Sequence, residues 1–252
     1  MRIDLHVHSS ERSRCARSSE EEMVRAAISF GLDALVFADH QKHLPTARAA
    51  ELSERFAPFR VFRGIECSVA EGEDIVVLGA YDERLEAAEI PYADVFAMAR
   101  EQGGFLILAH PFRYHESVNI DVASLPPDAI ELHSVCISGG DEGRIAELIR
   151  RSGVRTVQDS DAHRAEHVGL FHNSLRGMPP DEMELVRLLR EGAYQVCRCD
   201  ERIALRNREV QAEEERMRDC IARGYDGRRF CDETGGSMDH FVKVKRGGTY
   251  IL

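Results

Sequence analysis

The chain has 252 residues, which exceeds the usual size of one domain but suits an α/β barrel that folds as one unit. Its formal net charge of −11 argues against wrapping a nucleic-acid backbone, so no nucleic-acid polymer is expected as a partner. Seven scattered cysteines, no leader-like segment and no apolar run near ~20 residues indicate a cytoplasmic protein with reduced thiols and no membrane partner.

Short apolar runs alternate with helical patterns along most of the chain, as in parallel βα units. Strands are predicted near Arg2–Leu5, Ala34–Ala38, Val61–Ile65, Asp74–Leu78, Phe105–Ala109, Ala129–His133, Val154–Val157 and Tyr194–Cys197. Helices are predicted near Ser18–Gly31, Thr46–Phe56, Ala93–Gln102, Glu142–Arg151 and Asp181–Glu191. About seven to eight strands with helices between most of them predict one barrel, residues 1–206.

The first helix has the clearest start signal. Two capping boxes overlap there, one pairing Ser18 with Glu21 and the other pairing Ser19 with Glu22. Gly31 is expected to end this helix, because glycine adopts the left-handed conformation that follows many helices.

The composition changes after the barrel, and residues 207–252 are predicted to form an appendage packed on it. The range Glu209–Arg223 is highly charged and indicates a solvated helix, whereas Gly224–Gly236 is expected to be a loop. The short segment Phe241–Val244 is a strand candidate.

Side chains that bind metals follow one predicted strand after another. They are His6, His8, Asp39, His40, Glu66, His110, Asp161 and His163. In α/β barrels the active site forms where the carboxyl ends of the strands meet the following loops. The sequence therefore predicts a site with several metal ions at that end of the barrel.

Two histidines spaced by two residues on a strand point to the same side of the pleat, so His6 and His8 form a natural chelate. Asp4 is expected on the same face, either orienting an imidazole or buried in an ion pair. The carboxylate of Glu66 can bridge two cations, which an imidazole cannot do. Asp161 and His163 repeat the spacing of two, and Asp159 is a weaker candidate at the same spacing.

As a set, these motifs resemble those of the PHP (polymerase and histidinol phosphatase) family. The motifs are Asp4–Ser9, Ala38–His40, Gly64–Glu66, Ala109–Arg113 and Asp159–His163, in order from residue 4 to about residue 170. The resemblance implies a distorted (β/α)7, TIM-like barrel that holds two or three divalent cations, Zn, Mn or Fe. It also implies the hydrolysis of phosphate esters.

The resemblance also implies a ligand set. His6, His8, Glu66 and Asp161 would hold the first metal, Glu66 and His110 the second, and His40 and His163 the third. The second metal of the family often takes a further histidine, and here Asp74 is the best substitute, with Glu73 behind it. The third often takes an Asp or His after the first motif, where this chain offers Cys15, Glu11 or water.

The substrate is expected to be a small phosphorylated metabolite or a nucleotide, with the oligomeric state left open. Arg113 is expected to bind its phosphate, His133 to line its pocket, and Lys42 to act as a weaker phosphate ligand. For catalysis, Asp161 or His163 would manage the proton of the attacking water, and His40 or His133 would protonate the leaving alkoxide.

Two alternatives remain open at this stage. One is an amidohydrolase that cleaves C–N bonds with metals, a class that commonly bridges its metals with a lysine. No lysine ends a predicted strand here, and Glu66 takes that place. The other is a metal-binding regulatory module without catalysis, which the nearly complete ligand set argues against.

Overall fold

The protein is built around one nine-stranded sheet. The computed structural model describes residues 1–252, with every side chain except that of Asp239. In chain order the strands are Arg2–Val7 (β1), Ala34–Phe37 (β2), Arg60–Ser68 (β3), Asp74–Leu78 (β4), Phe105–Ala109 (β5), Ala129–His133 (β6), Arg155–Gln158 (β7), Phe171–Leu175 (β8) and Tyr194–Arg198 (β9). Across the sheet the order is β7-β6-β5-β4-β3-β2-β1-β8-β9.

Seven strands run in one direction and two run against it. β1, β2 and β3 are parallel, as are β5, β6 and β7. β4 lies antiparallel between β3 and β5, and β8 lies antiparallel between β1 and β9. The predicted barrel class is confirmed, and the sheet has nine strands where about seven to eight were predicted, because β8 was not among them.

Side-chain hydrogen bonds join β7 to β8 and β9 where the sheet would otherwise end. The amide of Asn173 in β8 donates to the carbonyl of Gln158 over 2.7 Å and accepts from its N–H over 3.2 Å. The hydroxyl of Tyr194 in β9 donates to the carbonyl of Thr156 over 2.8 Å. These contacts nearly close the sheet into a barrel.

Replacing Asn173 is expected to weaken this closure. Asn173 is fully buried, and its amide also donates to Asp159 over 2.9 Å, so Asn173→Ala leaves several buried polar groups without a partner. We expect a loss of about 2 kcal/mol in the free energy of unfolding, measured by urea denaturation. The control Asn119→Ala, at an exposed loop position, should cost about 0.5 kcal/mol or less; equal losses in both variants would contradict the role of Asn173.

Eight α-helices accompany the sheet in the described chain. They are Glu20–Ser29 (α1), Thr46–Arg55 (α2), Tyr92–Glu101 (α3), Glu142–Ser152 (α4), Glu182–Glu191 (α5), Asp200–Ala222 (α6), Gly227–Thr234 (α7) and Met238–Lys245 (α8). Of the two predicted capping boxes at α1, the box of Ser19 and Glu22 forms. The hydroxyl of Ser18 instead accepts from the N–H of Ala165, tying α1 to the loop after β7.

Strand alternation separates the barrel interior from the packing of the outer helices. In β2, Val36 belongs to the cluster shared with Ile3 and other strands, whereas Leu35 and Phe37 pack with residues of α1 and α2. Helix α5 covers the amino end of the barrel, where Arg190 donates to the carbonyl of Gly104, just before β5. The opposite end, where the parallel strands terminate, carries the polar residues.

The carboxyl-terminal segment is helical where part of it was expected to be otherwise. Gly224–Gly236, predicted as a loop, contains α7, whose start is capped by Asp226 accepting from the N–H of Arg229 over 2.8 Å. The predicted strand Phe241–Val244 is wrong, because it lies within α8. Phe241 and Val244 are both buried, and a spacing of three suits one face of a helix.

The predicted charged helix begins earlier than its charge pattern suggested. It starts at Asp200 as α6, so residue 207 lies inside a continuous helix. The three last helices bury a small apolar cluster of their own, which includes Met217, Phe230 and Phe241. The division into residues 1–206 and 207–252 stays a prediction. Among the described residues, no helix combines the length and apolar composition that a membrane-spanning segment requires.

Candidate metal centre

The predicted metal ligands converge at the carboxyl end of the parallel strands. His6 and His8 come from the end of β1, Glu66 from β3, His110 from the residue after β5, and Asp161 from the loop after β7. Four of the predicted ligands are fully buried, and two more are nearly so. The fully buried residues are His6, His8, Glu66 and Asp161, while Asp74 and His110 keep a few per cent of exposure.

Asp74 reaches the same place from the opposite direction. It is the first residue of β4, which is antiparallel to its neighbours, so the start of β4 lies beside their ends. It pairs with Ala109, the residue before His110, and its carboxylate lies 3.7 Å from His110 Nε2. Glu73 turns elsewhere and accepts from the N–H of Asn119 over 3.0 Å. Between the two predicted substitutes, the structure brings Asp74 to the site.

Glu66 is the centre of the arrangement. Its Oε1 lies 3.3 Å from His6 Nε2 and 3.1 Å from His110 Nε2. Its Oε2 lies 2.7 Å from His40 Nδ1 but is not aligned for a hydrogen bond with that ring. One carboxylate therefore faces imidazoles from three different strand ends, which is the position of a bridging ligand.

Three groups of side chains bring their ligand atoms within 4.8 Å of one another. The groups are His6, His8 and Asp161; Glu66, Asp74 and His110; and His8, His40 and His163. They resemble the three predicted ligand sets with two differences: His8 also belongs to the third group, and Glu66 belongs to the second group but not to the first. The chelate of His6 and His8 is close, with 3.0 Å between their Nε2 atoms and 3.1 Å from His8 Nε2 to Asp161 Oδ1.

The charges of this cluster fit divalent cations. Burial lowers the pKa of His6 and of His40, but nearby carboxylates, Glu66 first, raise the pKa of His6 well above its usual value and that of His40 to about 11. Burial and the charge of Glu66 raise the pKa of Asp74. The carboxylates thus favour positively charged groups in a buried site. Buried charges are normally paired or coordinated to metals. Mixed imidazole and carboxylate donors suit Zn, Mn or Fe.

Several residues of the centre hold uncommon backbone conformations. Asp161 has a φ of 50°, His110 of 26°, and Gln41, next to His40, of 44°. For residues other than glycine, such left-handed conformations cost on the order of 1–3 kcal/mol and persist where the surrounding structure imposes them. The surrounding structure therefore stabilises strained backbone conformations at residues that carry or adjoin the predicted ligand side chains.

Asp4 does not play the role expected from strand alternation. The pairing of β1 with β2 shifts register between Asp4 and Val7, as at a β-bulge, which interrupts the alternation. The Asp4 carboxylate accepts from the N–H groups of Ser160 and Gly169 over 3.0 and 2.8 Å. It therefore ties β1 to the chain after β7 and neither orients an imidazole nor forms an ion pair. Asp159 likewise accepts from the N–H of Leu5 over 3.0 Å.

The supporting residues include one that the sequence did not reveal. Glu131 in β6 is fully buried, with its Oε1 2.7 Å from His6 Nδ1. The only signal for it was an acidic residue inside an apolar run. On the other side, Asp39 accepts from the hydroxyl of Ser13 over 2.7 Å, and that hydroxyl lies 3.2 Å from His8 Nδ1.

The two side chains expected near the third group differ in position. The thiol of Cys15 lies within hydrogen-bonding reach of His163 and His40; burial raises its pKa, but these contacts lower it to about 6. Glu11 accepts from the N–H of Glu20 over 3.1 Å at the start of α1. Of these two, the structure brings Cys15 to the third group.

The structure places the three predicted substrate residues in different surroundings. Arg113 Nη1 lies 3.4 Å from Asp161 Oδ2, and its side chain remains 21 % exposed. His133 stacks on Phe171, with 5.6 Å between ring centroids, and lines a different cavity of about 140 Å³. Lys42 is mostly exposed and pairs with Glu86. Arg113 is thus the predicted phosphate ligand that contacts the metal ligands.

These features define an α/β barrel whose carboxyl-end loops gather a buried cluster of histidines and carboxylates suited to several cations. The family model described as PHP-associated matches residues 141–194. Similar folds occur in PsfC from Pseudomonas syringae (18 % identity, 80 % of this chain and 92 % of that one, TM-score 0.58). A second similar fold is a two-domain protein from Bacteroides vulgatus containing a predicted PHP-like metal-dependent phosphoesterase (16 % identity, 79 % of this chain and 64 % of that one, TM-score 0.58).

A third similar fold is an amidohydrolase from Chromobacterium violaceum with bound sulfate (19 % identity, 77 % of this chain and 97 % of that one, TM-score 0.54). No curated protein sequence matches the chain. The PHP-associated match at residues 141–194 and the similar folds confirm the resemblance to the PHP family that was drawn from the motifs.

Proposed function

We propose that the protein is a metal-dependent phosphoesterase that hydrolyses a small phosphorylated metabolite or a nucleotide. The observation that carries this proposal is the position of Glu66, whose two oxygens face His6, His110 and His40 at 3.3, 3.1 and 2.7 Å. A carboxylate so placed suits a pair of cations that share one ligand. The predicted metal-dependent phosphoesterase named for the Bacteroides vulgatus protein supports the substrate class.

Two or three divalent cations, Zn, Mn or Fe, would be held by the three groups described above. When bound, they supply Lewis acidity for the phosphoryl oxygens and lower the pKa of a water molecule. His6, His8 and Asp161 would hold the first, and Glu66 would be shared with the second. Asp74 and His110 would complete the second, while His40 and His163 would hold a third together with His8.

The remaining chemistry belongs to side chains at the mouth of the site. Arg113 can exchange its contact with Asp161 for the equatorial oxygens of a phosphate, since guanidinium matches phosphate geometry. Asp161 or His163 would accept a proton from the attacking water. With two cations bound and the third group empty, His40, which is 27 % exposed at the rim, would present a proton to the leaving alkoxide.

Removing the guanidinium tests the phosphate-binding role. Arg113→Met is expected to lower kcat/KM about 10²-fold, because a charge-assisted contact to phosphate is worth roughly 2–3 kcal/mol. Metal content should stay unchanged. Arg150→Met, on the exposed side of α4, is the control and should keep the activity of the parent protein. Steady-state kinetics on an aryl phosphate checks this, and an unaltered kcat/KM in Arg113→Met would remove Arg113 from the substrate site.

A metal-dependent hydrolase of C–N bonds is a second candidate, favoured by the amidohydrolase among the similar folds. The bridging position argues against it here, because Glu66 stands where such enzymes commonly use lysine.

Protein purified without chelator should carry two or three equivalents of Zn, Mn or Fe by elemental analysis. It should also turn over aryl phosphate mono- or diesters. Loaded protein that cleaves amides but no phosphate ester would replace the proposal with the amidohydrolase.

A further inference from the structure

Glu131 is a fully buried carboxylate whose two oxygens serve two different strand ends. It lies in β6 between Ile130 and Leu132. Its Oε1 lies 2.7 Å from His6 Nδ1, and its Oε2 accepts from the backbone N–H of His110 over 2.8 Å. A glutamate is rarely buried completely unless it is paired, and both partners here are metal-ligand residues. One side chain thus links ligands of the first and second groups.

The first contact decides which nitrogen of His6 faces the cluster. A carboxylate oxygen only accepts, so the hydrogen bond places a proton on His6 Nδ1. Nε2, the nitrogen that remains for a metal, then faces Glu66 at 3.3 Å and Asp161 at 3.5 Å. A histidine binds metal through an unprotonated nitrogen, and the hydrogen bond of the other nitrogen sets the tautomer.

The second contact holds the backbone of His110. This residue has a φ of 26°, in a region that residues other than glycine rarely adopt. In that conformation its Nε2 lies 3.1 Å from Glu66 and 3.7 Å from Asp74. Because Glu131 accepts the N–H of the same residue, it stabilises the conformation that directs this imidazole toward the second group.

We propose that Glu131 is the positioning residue of the metal centre, fixing the His6 ring and the His110 backbone at once through a single carboxylate. It contacts neither substrate nor cations and acts through these two histidines. The inference rests on the metal centre of the proposed function and is independent of which bond the enzyme cleaves.

The experiment compares zinc affinity in the parent protein, Glu131→Gln and Glu131→Leu at pH 7, by competition with a chromophoric chelator. Gln keeps one accepting oxygen for two N–H donors, and Leu keeps none. We expect affinity to fall in that order, by about 10–100-fold for Gln. Glu214→Gln is the matched control, because Glu214 is also buried and accepts a backbone N–H, that of Tyr250, over 2.9 Å, but lies in the last helices.

A purely structural role would lower thermal stability and leave the metal site intact, so a spectroscopic readout is added. The visible spectrum of the cobalt-substituted protein reports ligand geometry, and it should change in Glu131→Gln and stay unchanged in Glu214→Gln. Adding excess metal should restore most of the kcat that the Glu131→Gln variant has lost, and the KM of the variant should equal that of the parent protein. If the Leu variant does not fold, the nearly isosteric Gln variant decides alone.

Parent-like zinc affinity and cobalt spectrum in Glu131→Gln would overturn the positioning role. The proposed function would survive that result, since it needs only the ligands themselves. Conversely, parent protein that binds metals but hydrolyses no phosphate ester would overturn the function and leave the role of Glu131 standing. Parent protein that takes up no divalent cation would overturn the metal centre and, with it, this inference.

Discussion

Replacing Glu66 by glutamine is expected to reduce phosphoesterase activity by about 10³-fold or more, because metals supply several kcal/mol of transition-state stabilisation. Glu66 faces imidazoles of three strand ends, so Glu66→Gln removes the one charge that two cations can share. Gln has nearly the same shape, and steric disruption is small. We expect elemental analysis to find at least one equivalent of metal fewer than in the parent protein.

The matched control is Glu214→Gln, which neutralises another fully buried glutamate, in α6. It should retain metal content, and its turnover of aryl phosphate should stay within about threefold of the parent, since changes far from the site rarely couple to it. Circular dichroism verifies that both variants are folded. Full metal occupancy and parent activity in Glu66→Gln would show that the carboxylate does not bridge cations, and the proposed function would lose its main support.

The chelating pair His6 and His8 could be predicted because strand alternation is a local property. The same reasoning was wrong for Asp4, since the register of β1 against β2 shifts between Asp4 and Val7. A bulge of this kind depends on how two strands pair, and the residues of Arg2–Val7 alone do not indicate it. Local periodicity thus predicted that these two imidazoles lie close together, and it failed where pairing between strands broke the period.

Asp74 and Glu131 show two limits of predicting the residues of a metal centre from sequence. Asp74 was predicted from its place in an ordered set of motifs, although the antiparallel direction of β4, which brings it to the site, was not. Glu131 could not be predicted, because its two partners lie 125 and 21 residues away in the chain. Its acidic side chain inside an apolar run was visible, but only the folded barrel shows which donors it meets.

The missed and misassigned elements have similar causes. In β8 the buried positions are 171, 173 and 175, and the polar Asn173 among them hides the apolar alternation; Asn173 is held in place by buried hydrogen bonds with β7. In α8, the spacing of Phe241 and Val244 suits a helix, but three of the four residues from 241 to 244 are aromatic or β-branched, a composition that favours a strand. The neighbouring helices bury Phe241, and tertiary packing there overrides local preference.

Metal loading is expected to raise the thermal midpoint of unfolding by at least about 15 °C relative to protein stripped with a chelator. His6, His8, Glu66 and Asp161 are fully buried, so the stripped protein must hold several charged groups away from water. A cation at 1,000 times its Kd stabilises the native state by about 4 kcal/mol, and two such cations by about twice that.

The same ligands make the effect selective, which allows a sharp test by differential scanning calorimetry. Zn or Mn should produce the full rise in Tm, whereas Ca should produce little, because Ca prefers six to eight oxygen ligands and imidazole dominates here. In Glu66→Gln the rise should shrink by about half, because the shared ligand of two cations is altered, whereas Glu214→Gln should keep all of it. An equal rise with Ca, or an undiminished rise in Glu66→Gln, would mean that the cations bind elsewhere. A selective, Glu66-dependent rise locates them at the carboxyl end of the barrel without any assumption about the substrate.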